Sequence, residues 1–204
     1  MNMKNNNCYQ SIKNKMINEP KGTVFALSDF SSLGSSTAIR AAMSRLTKEG
    51  FCRRIMPGIF YCPKYSAILK KEMGPVSHDV AQALARNYEW TILPSPIHAQ
   101  NELGISTQVP AQVEYTSTGP TRKYKIGNIP LHFKQSRSKY LQKMSYSSAL
   151  VTNALQGLKD TELDDTVLTT VAARLTAEER KTLRNELIFA PIWMQSSLLQ
   201  IAEN

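Results

Sequence analysis

A chain of 204 residues with 42% hydrophobic and 20% charged side chains holds enough apolar material for one or two buried cores, which excludes an intrinsically disordered composition. Its formal charge of +9 is unevenly placed: residues 1–75 carry twelve Lys and Arg against four Asp and Glu, residues 76–140 seven against four, and residues 141–204 six against eight. A basic head on a near-neutral body implies that the head meets a polyanion, and no apolar run approaches the roughly eighteen residues of a membrane-spanning helix.

The chain opens Met1-Asn2-Met3-Lys4-Asn5-Asn6-Asn7, polar and without the apolar core of a signal peptide, so residues 1–8 read as a disordered tail. The periodicity predicts a helix from Tyr9 to Ile17 with Ile12, Met16 and Ile17 on one face, ended by Glu19-Pro20-Lys21-Gly22. A short strand over Thr23 to Ala26 follows. Ser28 or Asp29 then caps a short helix carrying Phe30 and Leu33. After Gly34, Ser35 or Ser36 caps a longer helix to about Lys48, which Gly50 stops. Phe51 to Ile55 and Ile59 to Cys62 read as two strands around Met56-Pro57-Gly58, and Pro-Gly suits the central positions of a type II turn. The charged run Lys70-Lys71-Glu72-Met73, broken by Gly74-Pro75, is the natural boundary.

Beyond it, Ser77 to Tyr88 is a predicted helix with Val80, Ala83, Leu84 and Asn87 inward, and Pro96 to Leu103 another. Three strand-like runs follow: Gln112 to Ser117, Arg122 to Ile126 and Ile129 to Gln135. Their short connectors, Thr118-Gly119-Pro120-Thr121 and Gly127-Asn128, suggest a meander. Four helices near 145–158, 164–175, 177–189 and 191–202 complete the chain; Thr176 and Glu179 have the spacing of a capping box. Ile188, Phe189, Ile192, Trp193, Leu198 and Leu199 read chiefly as core, with a dimer interface as the alternative. The expected fold class is α+β. A winged helix-turn-helix over 9–70 precedes a mixed second domain over 76–204, with antiparallel strands and then C-terminal helices.

The segment from Ser28 to Pro63 carries the functional argument. On the helix from Ser35 to Lys48, the apolar residues Ile39, Ala42, Met43 and Leu46 fall at i, i+3, i+4 and i+7 and make one buried stripe. The other face shows Ser36, Thr37, Arg40, Ser44 and Lys48, with no carboxylate before Glu49. Small side chains let such a helix approach a major groove closely. Hydroxyls bond phosphates or base edges, and Arg40 has the geometry for two parallel hydrogen bonds to a guanine. Free N–H groups at the helix start, beyond Ser35, suit a phosphate. Arg53 and Arg54 point to opposite faces of a strand that leads into the wing, where arginine favours the minor groove. Arg45 and Lys64 are further candidate phosphate contacts. The alternative is a small domain whose exposed polar helix binds a protein partner.

The run Gly22-Thr23-Val24-Phe25, Asp29-Phe30, Ala42-Met43-Ser44-Arg45-Leu46, Glu49-Gly50 and Arg54-Ile55-Met56-Pro57-Gly58-Ile59-Phe60-Tyr61 resembles the winged-helix domain of AbiEi-like antitoxins, which belong to type IV toxin–antitoxin and abortive-infection systems of phage defence. The strong match covers about 45 residues. Thr118-Gly119-Pro120-Thr121-Arg122 and the strands after it are similar in layout to that family's second domain. The resemblance implies a transcriptional autorepressor binding inverted repeats in promoter DNA, as monomer or homodimer. It also implies a nucleotidyltransferase-type toxin as functional partner, often without a stable complex. The winged-helix role passes to Ser36, Thr37, Arg40, Ser44, Arg53 and Arg54; no toxin-neutralising residue is assigned.

An enzyme is not expected. His78, His98 and His132 are scattered and form no zinc motif, and neither a phosphate-binding glycine loop nor a GxSxG elbow is present. Asp164-Asp165 and Glu178-Glu179 are sequence neighbours, which do not face one another on a helix; they read as charge at helix N-termini. No metal and no cofactor are anticipated. Cys8, Cys52 and Cys62 are odd in number and lack metal spacing, so they read as buried thiols in a reducing cytoplasm, with a Cys52–Cys62 bridge left open. Arg122, Lys123, Lys125, Lys134, Arg137 and Lys139, interleaved with Tyr115, Tyr124, Phe133 and Tyr140, read as outward cations and inward aromatics on a half-exposed sheet, or else as a second nucleic-acid surface.

Overall fold

The computed structural model describes residues 3–108, 112–158 and 163–204, and the fold is α+β. The chain divides into two compact units, residues 1–90 and 91–204.

The first unit begins with helix α1 (Met3–Asn18). The expected disordered tail is therefore corrected: Met3 to Cys8 are helical, because Cys8 and Tyr9 extend the stripe of Ile12 and Met16 by one more turn and all four side chains are buried. Strand β1 (Val24–Ala26) leads into a 3-10 helix (Leu27–Leu33), and helix α2 (Ser36–Lys48) follows. Strands β2 (Arg53–Met56) and β3 (Ile59–Tyr61) form a hairpin. They complete a three-stranded antiparallel sheet in the order β1-β3-β2, with a bulge between Arg54 and Met56. Gly58 closes the hairpin at φ +82°, the left-handed value that the second central position of a type II turn requires. Phe25, Phe30, Ile39, Met43, Leu46 and Phe60 fill the core between sheet and helices. Cys8, Cys52 and Cys62 are buried, unbridged thiols; burial pushes Cys52 and Cys62 above the ordinary thiol range.

Two boundaries differ from the sequence reading. Lys70 to Met73 is not a linker: strands β4 (Lys64–Ser66) and β5 (Lys71–Met73) pair as a second hairpin, with Ile68 93% exposed at its tip. Helix α3 (Ser77–Tyr88) then belongs to the first unit rather than opening the second. Val80, Ala81 and Leu84 are fully buried, and the helix packs on β1, β3 and the 3-10 helix. The Asp29 carboxylate ties these pieces together. It accepts from the Ala26 backbone N–H (2.9 Å) and from Arg86 Nε (2.9 Å) and Nη2 (3.1 Å), while Nη2 also donates to the Val24 carbonyl (3.3 Å).

The second unit is built on β6 (Ile92–Pro94), α4 (Pro96–Glu102), β7 (Val113–Ser117), β8 (Arg122–Ile126) and β9 (Ile129–Gln135). The expected meander is corrected by the strand order β6-β7-β9-β8, in which β9 lies between β7 and β8 and runs parallel to β7. The sheet is thus mixed, not purely antiparallel. The connector at 118–121 crosses the end of β9 and is held there: the Gln135 N–H donates to Thr121 Oγ1 (3.1 Å) and the Ser136 N–H to the Ser117 carbonyl (2.7 Å). Connector length alone cannot distinguish a neighbouring strand from the next one over.

Helices α5 (Lys139–Lys143), α6 (Tyr146–Gln156), α7 (Asp165–Arg174), α8 (Ala177–Glu186) and α9 (Gln195–Glu203) complete this unit, with 3-10 turns at Leu187–Phe189 and Ile192–Met194. The short α5 is absent from the sequence reading. Eight consecutive residues of α6, Ser148 to Leu155, are buried, so it is the central helix. Its buried polar groups are satisfied: Asn153 Nδ2 donates to the Pro94 carbonyl (2.7 Å), and the Tyr140 hydroxyl lies 2.9 Å from Asn153 Oδ1. Thr176 and Glu179 make the anticipated capping box. Ile188, Ile192 and Trp193, read as core, are instead exposed, because the 3-10 turns on either side of Pro191 bury Ala190 and Met194 in their place. Among the described residues, no helix is long and apolar enough to cross a membrane.

Removing the Asp29 carboxylate strands the Ala26 N–H and releases Arg86. Asp29→Ala is expected to lower the unfolding free energy by about 2 kcal/mol, the scale of hydrogen bonds to a partly buried charge. Urea denaturation followed by circular dichroism measures this, and an unchanged midpoint would remove Asp29 from the account.

Candidate nucleic-acid interface

The α2 helix owes its orientation to four buried side chains, Ile39, Ala42, Met43 and Leu46. They leave Ser36, Thr37, Arg40, Ser44, Arg45 and Lys48 exposed. Ser35 caps the helix: its Oγ accepts from the Ala38 N–H at 3.3 Å, while its backbone is extended. The helix therefore starts one residue past its cap, with Ser36 and Thr37 in its first turn.

The face of α2 and the β2–β3 hairpin enclose a groove of about 520 Å³. Arg40, Ser44, Lys48 and Arg54 supply its polar rim, and Leu27, Pro57 and Phe60 are among its apolar walls. A smaller hollow toward the N-terminal end of α2 joins Ser36 and Arg40 to Ser28 and Ser31. Arg40 faces both hollows, which makes it the central cation of the surface. Sequence reasoning missed Leu27, Thr47 and Phe60 as groove residues. Thr47 uses its hydroxyl on the Met43 carbonyl (2.8 Å), and the other two offer only apolar surface, so their placement follows from packing and has no local signal.

The ten residues singled out from the sequence do not form one set. Arg40, Lys48 and Arg54 make no ion pair among the described residues and converge on the groove. Arg45 is committed elsewhere: its Nε contacts Glu49 Oε1 at 2.8 Å, and its guanidinium lies 4.4 Å from the centre of the Tyr9 ring. The Tyr9 hydroxyl donates to the other Glu49 oxygen, and these two hydrogen bonds hold the Glu49 carboxyl below the usual carboxylate range. Arg53 is paired with Glu72 of the β4–β5 hairpin. Successive strand residues point to opposite faces, so when Arg54 faces the groove Arg53 must face away from it. Lys64 is exposed on β4 and lines a different hollow with Lys21, Gly22 and Asp79.

In the second unit, Arg122, Lys123, Lys125, Lys134, Arg137 and Lys139 are all exposed, whereas Tyr115, Phe133 and Tyr140 are buried and Tyr124 is half-buried. That is the inward-aromatic, outward-cation alternation, and it offers no row of exposed rings on which bases stack. Among the described residues, no three His, Cys, Asp or Glu side chains come together as a metal site would need. The one clear histidine perturbation is at His98, which burial lowers while it shares a 2.9 Å hydrogen bond with Ser95.

The Ser35 cap sets where the exposed N-terminal turn of α2 begins. Ser35→Ala is expected to lower stability by about 1 kcal/mol, read as a lower thermal midpoint; Ser35→Asp, which restores an acceptor, should recover it.

The chain belongs to the family DUF6088, a family of unknown function, whose family model matches residues 11–183. No curated protein and no solved structure matches the chain.

Proposed function

We propose that this member of the DUF6088 family is a sequence-specific DNA-binding regulator that lays α2 in a major groove and its β2–β3 hairpin, as a wing, along the adjoining backbone. The observation that carries this reading is the convergence of three cations without an ion-pair partner among the described residues, Arg40, Lys48 and Arg54, on the groove between α2 and the hairpin. Neighbouring cations are neutralised by Glu49 and Glu72. The order helix, strand, 3-10 helix, helix, hairpin is that of a winged helix, and it supports the same reading. Arg40, with the hydroxyls of Ser36, Thr37 and Ser44, would face base edges. Lys48 and Arg54 would hold phosphates, which contribute affinity without sequence information. Promoter DNA upstream of the chain's own gene is the expected ligand, as the resemblance to AbiEi-like antitoxins suggests.

Gel shifts with that upstream DNA and a scrambled duplex, across a salt series, test the assignment. Arg40→Ala should weaken binding to the upstream sequence by about tenfold to a hundredfold and relax preference over the scrambled duplex. Lys48→Ala and Arg54→Ala should weaken binding to both duplexes and reduce the salt slope by about one each. Arg45→Ala and Arg53→Ala should have much smaller effects because their charges are already compensated. Equal effects from all five substitutions would mean that net charge, not this groove, binds DNA.

The antitoxin role rests on the resemblance alone and is proposed on that footing. If a nucleotidyltransferase gene adjoins this one, its expression should arrest growth and co-expression of this chain should relieve the arrest. Arg40→Ala should still relieve it, because neutralisation is expected of the second unit. Arrest unaffected by the intact chain would end the antitoxin reading and leave the DNA reading standing.

A further inference from the structure

The register of the β2–β3 hairpin places two thiols face to face at its root. Arg53 is paired with Tyr61, so the next residues outward, Cys52 and Cys62, stand opposite one another. The Cys62 N–H donates to the Thr23 carbonyl (3.2 Å), and the Cys62 carbonyl accepts from the Gly22 N–H (2.7 Å). Both backbone groups of Cys62 are thus turned toward the β1 side, which makes its pairing with Cys52 a non-hydrogen-bonded one. Such pairs bring their Cα atoms to about 4.5 Å, the closest approach in an antiparallel sheet. That separation falls within the range of about 4.4–6.8 Å that a disulfide spans. Both side chains enter the core that Phe60 helps to fill, and each residue is 1% exposed. Electrostatics agrees with the placement: burial is the main cause that raises the Cys62 thiol, and Cys52 raises it further, as a close neighbour does. The third thiol, Cys8, packs beside Gly34, at the turn between the 3-10 helix and α2.

We propose that Cys52 and Cys62 are a redox pair that hydrogen peroxide converts into a disulfide stapling the root of the hairpin. One thiolate of the pair attacks an oxygen of the peroxide, giving a sulfenic acid and hydroxide. The second thiolate then displaces hydroxide from that sulfur and forms the S–S bond. The two sulfurs lose two electrons, and with the two thiol protons the peroxide leaves as two waters. An oxidant scarcely larger than water suits thiols this well buried, which it reaches through brief local opening. Little opposes the closure. Cys52 Sγ gives up only a 3.6 Å contact with Thr47 Oγ1, whose proton already goes to the Met43 carbonyl (2.8 Å). The bridge closes the loop 52–62, which contains the whole hairpin, and should therefore stabilise the folded chain. The proposal is independent of the DNA reading, since it concerns the sulfurs beneath the hairpin and not the groove above it.

The full chain, folded and freed of reductant, is treated with a few equivalents of hydrogen peroxide, alkylated in denaturant and digested with trypsin. Mass spectrometry should find peptides 49–53 and 55–64 joined through their cysteines, with Cys8 still alkylated. Dithiothreitol should separate them. The thermal midpoint of the oxidised chain should exceed that of the reduced chain by at least about 5 °C. Cys8→Ser should form the same bridge, whereas Cys62→Ser should form none and show no peroxide-dependent rise in midpoint. Cys52 and Cys62 both remaining free in the folded wild type overturns the proposal. So does a bridge that forms only in denaturant, one that includes Cys8, or one that lowers the midpoint.

Discussion

The rotation of α2 about its own axis is fixed by four side chains, and the candidate interface follows from that constraint. Burial of Ile39, Ala42, Met43 and Leu46 stabilises by roughly 1–3 kcal/mol for each large side chain. A quarter-turn of the helix would expose that stripe and drive Arg40 or Ser44 into the core without partners, a cost of several kcal/mol. The outward face is therefore not adjustable. The same core positions the β2–β3 hairpin through Phe60, so the helix and hairpin present one groove rather than two mobile parts.

Acidic residues then decide which cations remain available. The first 75 residues have only four Asp and Glu among twelve Lys and Arg, and three of those four carboxylates are engaged: Asp29 with Arg86, Glu49 with Arg45, Glu72 with Arg53. Each of these pairs either braces one element against another or, with Glu49, anchors the C-terminal end of α2 to α1 through Tyr9. Scarce carboxylates thus do structural service, and the excess cations are left facing solvent. Exposed pairs of this kind add little stability individually, so their main consequence is electrostatic: they subtract Arg45 and Arg53 from the positive surface and concentrate it on Arg40, Lys48 and Arg54.

Much of this was legible in the residues. The α2 stripe, the Ser35 cap, the Pro57-Gly58 turn and the Thr176 capping box are local patterns whose physics is complete within a few residues, and each was found where expected. Long-range partners were not legible. Nothing near Arg53 announces Glu72, nineteen positions away, and nothing near Arg86 announces Asp29, fifty-seven positions away. Hence two of the basic candidates read as equals of Arg54 and Arg40, and α3 was assigned to the wrong unit. The Asn-rich start misled for a related reason: composition weighed against order, but Cys8 found a place beside Gly34 that composition cannot show.

The crossing of the 118–121 connector over β9 makes that stretch a strap of limited slack. It must span two strand spacings, roughly 10 Å, and the five Cα–Cα steps from Ser117 to Arg122 reach about 17 Å at full extension. Lengthening it would cost little. Losing two residues would leave about 10 Å of reach, with no slack to rise over the end of β9; losing three would make the crossing unreachable. Evolutionary tolerance at this bend is therefore one-sided, more open to insertion than to deletion, although Pro120 and Thr121 lie exposed at its tip, where either would ordinarily be accepted.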